Sequence, residues 1–240
     1  MVKIKKSSEL LWFLGIIFVA LGVAICSKAD LGVSMIAAPA FVLHEALSSA
    51  FPWLSVGVTE YVIQGILLVL LCVLVRRFNW RFLLTFVVAV IYGYVLDLFI
   101  WMLDPVSLDA VWVRWVMLIV GDLITAFGVA CYFRTYMPLQ VYELFVAETS
   151  DKFCFKLSKV KLFFDLSLLC VSVIFALTLF GDVKSFDFST VGYASFHSIG
   201  LGTLVTTLIN SPLIALMGKF IDKTFDSTPA FPGLHKALKH

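Results

Sequence analysis

Charge is scarce in this chain. Only 14% of its 240 residues are charged, while 61% are hydrophobic and the mean hydropathy is +1.02. An average soluble domain carries about 25% charged residues. A water-soluble fold of this size could not cover so much apolar surface. Segments of about ten residues with alternating polarity, the mark of a transmembrane barrel, are missing too. So are the Walker A pattern, the dinucleotide-binding glycine pattern and the nucleophile elbow. His44-Glu45 is half of a zinc motif without its second histidine, so neither metal nor cofactor is expected. Ser195 and His197 sit two apart at a helix start and point different ways, so an intramembrane hydrolase is not expected. The five cysteines, Cys26, Cys72, Cys131, Cys154 and Cys170, lie mostly in apolar runs and read as buried, inert thiols.

What is present is a series of continuous apolar runs. A bilayer core takes roughly 20 mostly apolar residues per helix. Six runs qualify: 10–26, 56–75, 82–103, 111–133, 162–180 and 195–217. The first lacks a clean small-x-small cleavage site and reads as a retained helix, not a signal peptide. Two further segments are shorter or more polar. Residues 33–50 carry Pro39, His44 and Glu45, and residues 137–150 carry Pro138, Gln140, Glu143 and Glu148. Irregular or polar backbone survives at membrane depth only against protein or a cavity. Both segments are therefore expected as re-entrant or half-helices. The fold class is an all-α polytopic membrane protein with six transmembrane helices and two half-helices.

The basic residues orient it. With six spans and a cytoplasmic N-terminus, fifteen of the 18 Lys and Arg fall inside: Lys3, Lys5, Lys6, Arg76, Arg77, Arg81, Arg134, Lys152, Lys156, Lys159, Lys161, Lys219, Lys223, Lys236 and Lys239. Lys28, Arg114 and Lys184 are left outside. An eight-span alternative would move the Arg76–Arg81 cluster outside. Both termini are thus expected in the cytoplasm.

A shift of 106 residues lays Gly15 on Gly121, Ala20 on Ala126, Gly22 on Gly128 and Lys28 on Arg134. A shift of 118 lays Thr85 on Thr203. Each half has an odd number of spans, so the halves are expected as a 3+3 inverted repeat, the plan of many secondary transporters. The division is 1–107, 108–220 and a polar cytoplasmic tail, 221–240.

Ala29-Asp30-Leu31-Gly32-Val33-Ser34 resembles the ADLG-type signature of the YczE/YyaS/YitT-type bacterial membrane proteins. Ile199-Gly200-Leu201-Gly202-Thr203 with Asn210-Ser211-Pro212 is similar to their C-terminal IGxGT…GP stretch, with Ser211 in place of Gly. Gly93-Tyr94-Val95-Leu96-Asp97 resembles the matching first-half stretch, while Met137-Pro138-Leu139-Gln140 is a diverged counterpart. The resemblance covers the chain to about Lys219. It implies a multi-span protein of the bacterial cytoplasmic (inner) membrane and carries no settled activity.

The candidate binding residues are Lys28, Arg134, Asp122, Thr203, Thr207 and Asn210. Lys28 and Arg134 each end a span before a half-helix, where a cation suits an anionic ligand. The plainer reading has them reaching opposite interfaces. Asp122 lies mid-span, where a lipid-facing carboxylate costs about 2.5–3.5 kcal/mol or more. It is the best candidate for proton coupling; Asp97 lies in the outer half of the third helix, where the same cost applies more weakly. Thr203, Thr207 and Asn210 share one helix face, which either lines a site or holds helices together. Glu60 and Asp165 lie near helix ends and are expected at the interface, as is His197. The expected function is a small secondary transporter or exporter of a small molecule, an anion being the candidate class. The alternatives are an accessory protein that binds lipid or a partner membrane protein, and a channel. Nucleic acid is not an expected partner, and the lipid bilayer is.

Overall fold

The computed structural model describes residues 8–76, 78–108, 110–180, 198–233 and 235. These form α1 (Ser8–Lys28), α2 (Ala38–Leu47), α3 (Val56–Val75), α4 (Arg81–Leu103), α5 (Val111–Tyr132), α6 (Val141–Phe153), α7 (Leu157–Phe180) and α8 (Leu201–Thr224). Six of them, all but α2 and α6, are long and apolar enough to cross a membrane. At 1.5 Å per residue, the ten residues of α2 and the 13 of α6 cover only about 15 and 20 Å. Ser195, His197 and Lys184 lie outside the described residues.

Two boundaries differ from the apolar runs. Helix α7 starts five residues before the run at 162, because Lys161 is held inside the protein by Asp165 one turn on. Helix α8 starts at Leu201, where the Gly200 N–H meets the Thr203 hydroxyl at 3.3 Å, and continues past Met217 through Lys219, Asp222 and Lys223. The thiols divide as well: Cys26 and Cys131 are buried, but Cys154 and Cys170 are exposed. Cys170 shows that an apolar run has a lipid face on which a thiol is not buried in protein.

The centre of the bundle is the α1–α5 seam. An added Cβ at Gly22 would strike the Gly121 carbonyl and Thr125, and one at Gly128 would strike Val19 and the Gly15 carbonyl. Contacts rise along α1 as they fall along α5, so the two helices are antiparallel. Ser8 meets Thr135 at one end, and Asp30 meets Arg114 at the other. Small residues let backbones approach where lipid gives no hydrophobic drive between helices.

The remaining contacts come in exchangeable pairs. Helix α4 packs on α1 as α8 packs on α5, α2 on α3 as α6 on α7, and α2 on α7 as α6 on α3. Burial follows the same rule. Buried Glu60, Ile63, Gln64, Leu67 and Leu71 of α3 have buried counterparts in Lys161, Phe164, Asp165, Leu168 and Ser172 of α7. Thr85, Val88, Ala89, Tyr92 and Leu96 of α4 correspond likewise to Thr203, Thr206, Thr207, Asn210 and Ile214 of α8.

The polar stretch after α8 is not a free tail over its described length. The Glu9 carboxylate accepts the backbone N–H groups of Ala230 and Phe231 at 3.0 Å and the Tyr136 hydroxyl at 2.5 Å. Burial, with Glu9 adjacent, pushes the Tyr136 hydroxyl up to about 12. His235 sits edge-on to the Tyr136 ring at 4.9 Å.

The seam makes a testable demand. Gly22→Val should cost about 1–3 kcal/mol or more through overpacking. The readout is a lowered unfolding midpoint in detergent. Gly65→Ala, whose added carbon meets only the Phe86 ring, is the control and should leave the midpoint near its starting value.

Candidate functional site: a buried charge cluster beside a cavity

The sequence candidates do not gather at one point. Lys28 and Arg134 stand at opposite ends of the α1–α5 pair, separated by the 21 residues of α1, about 30 Å of rise. Lys28 Nζ donates to the Asp104 carbonyl at 2.8 Å. Arg134 forms a two-point pair with Asp222, Nε–Oδ1 2.6 Å and Nη2–Oδ2 2.8 Å. The two therefore share no internal cavity: each reaches its own end of the bundle, as in the plainer of the two readings above. The physical reason is the antiparallel seam, which carries equivalent positions to opposite faces.

Thr203, Thr207 and Asn210 are all buried on α8. The Thr203 hydroxyl donates to the Val33 carbonyl at 2.7 Å, and the Thr206 and Thr207 hydroxyls donate to the Thr203 carbonyl. Thr203 thus ties α8 to the chain before α2. Helices α5 and α8 run parallel, with Leu118 beside Gly202 and Arg134 beside Gly218. In that register Asp122 lies level with Thr206.

Asp122 is 1% exposed, and neither carboxylate oxygen has a hydrogen-bond partner among the described residues. It lies within Coulombic range of Lys161. Lys161, counted in the sequence among cytoplasmic flanking charges, is buried and donates to Asp165 Oδ1 at 3.3 Å. Glu143 is also buried and within range of both. On its other side is Glu60, fully buried, whose Oε2 accepts the Tyr142 hydroxyl at 2.7 Å. The interfacial expectation for Glu60 and Asp165 is overturned. Both sit only a turn or two from a helix start, but α6 and α2 cover that stretch.

The short helices bring these groups together. Tyr142 near the start of α6 reaches Glu60, while Lys152 near its end donates to the Leu74 carbonyl. Helix α6 therefore runs alongside α3 in the same direction, from near its start to its end. Its first N–H groups open toward the cluster, and a helix N-terminus is a partial positive charge. Asp97, in the outer half of the third span, has a different task. It accepts the Ser55 hydroxyl at 2.5 Å and the Gly57 N–H at 2.8 Å, joining α4 to the start of α3. His44 Nδ1–H donates to the Leu54 carbonyl at 2.7 Å.

A cavity of about 200 Å³ leads toward this cluster from the Arg134 end, between α5, α7 and α8. Arg134, Lys161, Ser158 and Ser211 supply its polar walls, and Phe133, Leu157, Ile214 and Ala215 the apolar ones. The buried Ser211 hydroxyl has no hydrogen-bond partner among the described residues. Lys161 thus faces two ways, to the cavity and to the carboxylates. The cavity, Lys161 and Glu143 were not among the sequence candidates. The available signal was spacing: Lys161 and Asp165 are four apart inside an otherwise apolar helix, as are Glu60 and Gln64.

Six apolar spans around a charged interior define a multi-pass helical membrane protein. The chain belongs to a family of unknown function, DUF6198, whose profile matches residues 6–219. No curated protein matched the chain in a comparison of sequences, and no solved structure matched it either.

The Lys161–Asp165 pair gives a stability test. Lys161→Met leaves a buried carboxylate unpaired and should cost about 3–5 kcal/mol. Lys161→Met with Asp165→Leu removes both charges and should recover most of that loss. Unfolding midpoints of the single and double variants in detergent measure both.

Proposed function

We propose that this protein is a small secondary transporter of small organic anions, with the cavity between α5, α7 and α8 as its solute site. The single observation behind the reading is that cavity: Arg134 at its rim, Lys161 in its wall, two serine hydroxyls and an apolar side. A small anion with an apolar body suits that lining. The charge balance beyond Lys161 supplies the coupling. Asp122, Glu143 and Asp165 share one nearby ammonium, so an anion entering there favours company by protons. Helices α2 and α6 are read as re-entrant half-helices, and 1–107 and 108–220 as inverted halves with residues 221–240 as the tail. The antiparallel seam and the exchangeable contacts support this. Kinship with the YczE/YyaS/YitT-type proteins belongs to the same proposal and rests on Ala29–Ser34 and Ile199–Thr203.

The orientation proposed has the Arg134 face in the cytoplasm of a bacterial inner membrane, on the basic-residue count. Cysteines placed singly at Asn79 and Ser227, with native cysteines replaced, should resist an impermeant thiol reagent in intact cells. Strong labelling at Asn79 reverses the orientation.

Benzenesulfonate, permanently anionic and unable to cross a bilayer as a neutral acid, is the functional probe. It should raise the unfolding midpoint of the purified protein. In proteoliposomes with a trapped pH dye it should drive proton entry. Lys161→Gln should remove both effects in a protein that still runs as a single species. Stabilisation by choline in place of the sulfonate would refute an anion site. A second reading, a lipid-binding accessory protein, draws on the groove of Phe127, Leu216, Met217 and Phe220 edged by Lys219 and Lys223. It predicts a co-purifying anionic lipid and no proton movement.

A further inference from the structure

The two halves share a plan but not a conformation. Helices α3 and α4 correspond to α7 and α8 by burial pattern. In that correspondence Ser158, Ser211, Ile214 and Ala215 of the cavity match Gly57, Gly93, Leu96 and Asp97. The second set is shut. An added Cβ on Gly57 would strike the Gly93 carbonyl, and one on Gly93 would meet the Gly57 carbonyl. Leu96 is fully buried, and Asp97 clasps Ser55 and Gly57. Helices α7 and α8 touch far less than α3 and α4 do, and the cavity occupies the difference.

A second pair of equivalent places shows the same contrast. The chain between α1 and α2 is sealed onto the start of α8. Val33 N–H donates to the Ser198 carbonyl at 2.9 Å, Gly202 N–H to the Leu31 carbonyl at 2.8 Å, and the Thr203 hydroxyl to the Val33 carbonyl. The corresponding chain between α5 and α6 is not sealed onto the start of α4. A space of about 210 Å³ lies there, lined by Arg81, Phe82, Thr85, Met137, Pro138 and Leu139 among others. Thr85, the counterpart of Thr203, turns its hydroxyl to its own helix at the Arg81 carbonyl.

We propose that α1, α3 and α4 contain a second, closed copy of the solute cavity, opening to the Lys28 face, and that the protein works by exchanging the two. Its walls are Gly57, Glu60, Gly93 and Leu96, and because the carboxylate Glu60 stands where Lys161 does, it is the passage by which the anion at Lys161 is reached from the other side, not a second binding site. In the exchanged state α7 closes on α8 at Ser158 and Ser211, while α3 leaves α4 at Gly57 and Gly93. The two arrangements are alternative packings of like helix pairs, so they are discrete and not a continuum. Asp97 decides which is at rest. Its counterpart is Ala215, which has no carboxylate, so the clasp exists in one half only. Closure at the Lys28 face is therefore favoured in the absence of solute.

This extends the transport reading but is tested without solute. Ile214→Cys and Leu96→Cys, each in a chain lacking the native cysteines, are labelled with a small hydrophilic thiol reagent in proteoliposomes. Cys at 214 should react from the Arg134 face, and Cys at 96 should be protected. Adding Asp97→Asn should raise the rate at 96 from the Lys28 face by about tenfold and lower the rate at 214. Ser55→Ala, which deletes one of the two bonds, should move both rates the same way by less, and it serves if Asp97→Asn does not fold. Unchanged rates, or rates that rise at both positions, overturn the proposal. Opposed changes without any benzenesulfonate-driven proton movement would leave the exchange standing and sink the anion-transport reading. Proton movement with unchanged labelling would do the reverse.

Discussion

Everything in this molecule hangs on backbone touching backbone between α1 and α5. Four glycines, Gly15 and Gly22 on one helix and Gly121 and Gly128 on the other, set that approach. In lipid, apolar side chains gain little by leaving one another for a helix partner, so close van der Waals packing has to hold the helices together. Because the seam is antiparallel, α1 and α5 meet with their matching glycines in opposite order. The pairing of α2 with α7 and of α6 with α3 follows from that single crossing.

The charged interior follows from the short helices. Helix α6, 13 residues long, carries Tyr142 and Glu143 buried near its start. The neighbouring long helices answer with polar side chains at matched depths, Glu60 and Gln64 on α3 and Lys161 and Asp165 on α7. Such groups are costly in a membrane protein and are retained where they are paired, hydrated or used. Here pairing is partial. Lys161 serves Asp165 directly, while Asp122 and one oxygen of Glu143 accept no hydrogen bond among the described residues.

The spans, the glycine register and the two short helices were legible because long apolar runs, their interruptions and small-residue spacing are local properties of a chain. Asp122 was legible for the same reason: its depth is fixed by the run around it. Glu60, Lys161 and Asp165 were misplaced because depth from a helix end was the only gauge available. What buries them is the flank of α6 or α2, contributed by residues about 20 to 80 positions away or more. Lys28 and Arg134, matched by the 106-residue shift, end on opposite faces because the α1–α5 seam is antiparallel.

The clasp at Glu9 joins the earliest described turn of the chain to residues 230 and 231. During synthesis Tyr136 follows α1 after four more helices, and all seven must follow before the backbone donors at 230 and 231 exist. The contact spans more than 220 residues of sequence, so its loop closure comes last. A protease or quality-control factor that recognises an unclasped α1 would thereby be reading whether insertion of the bundle has finished.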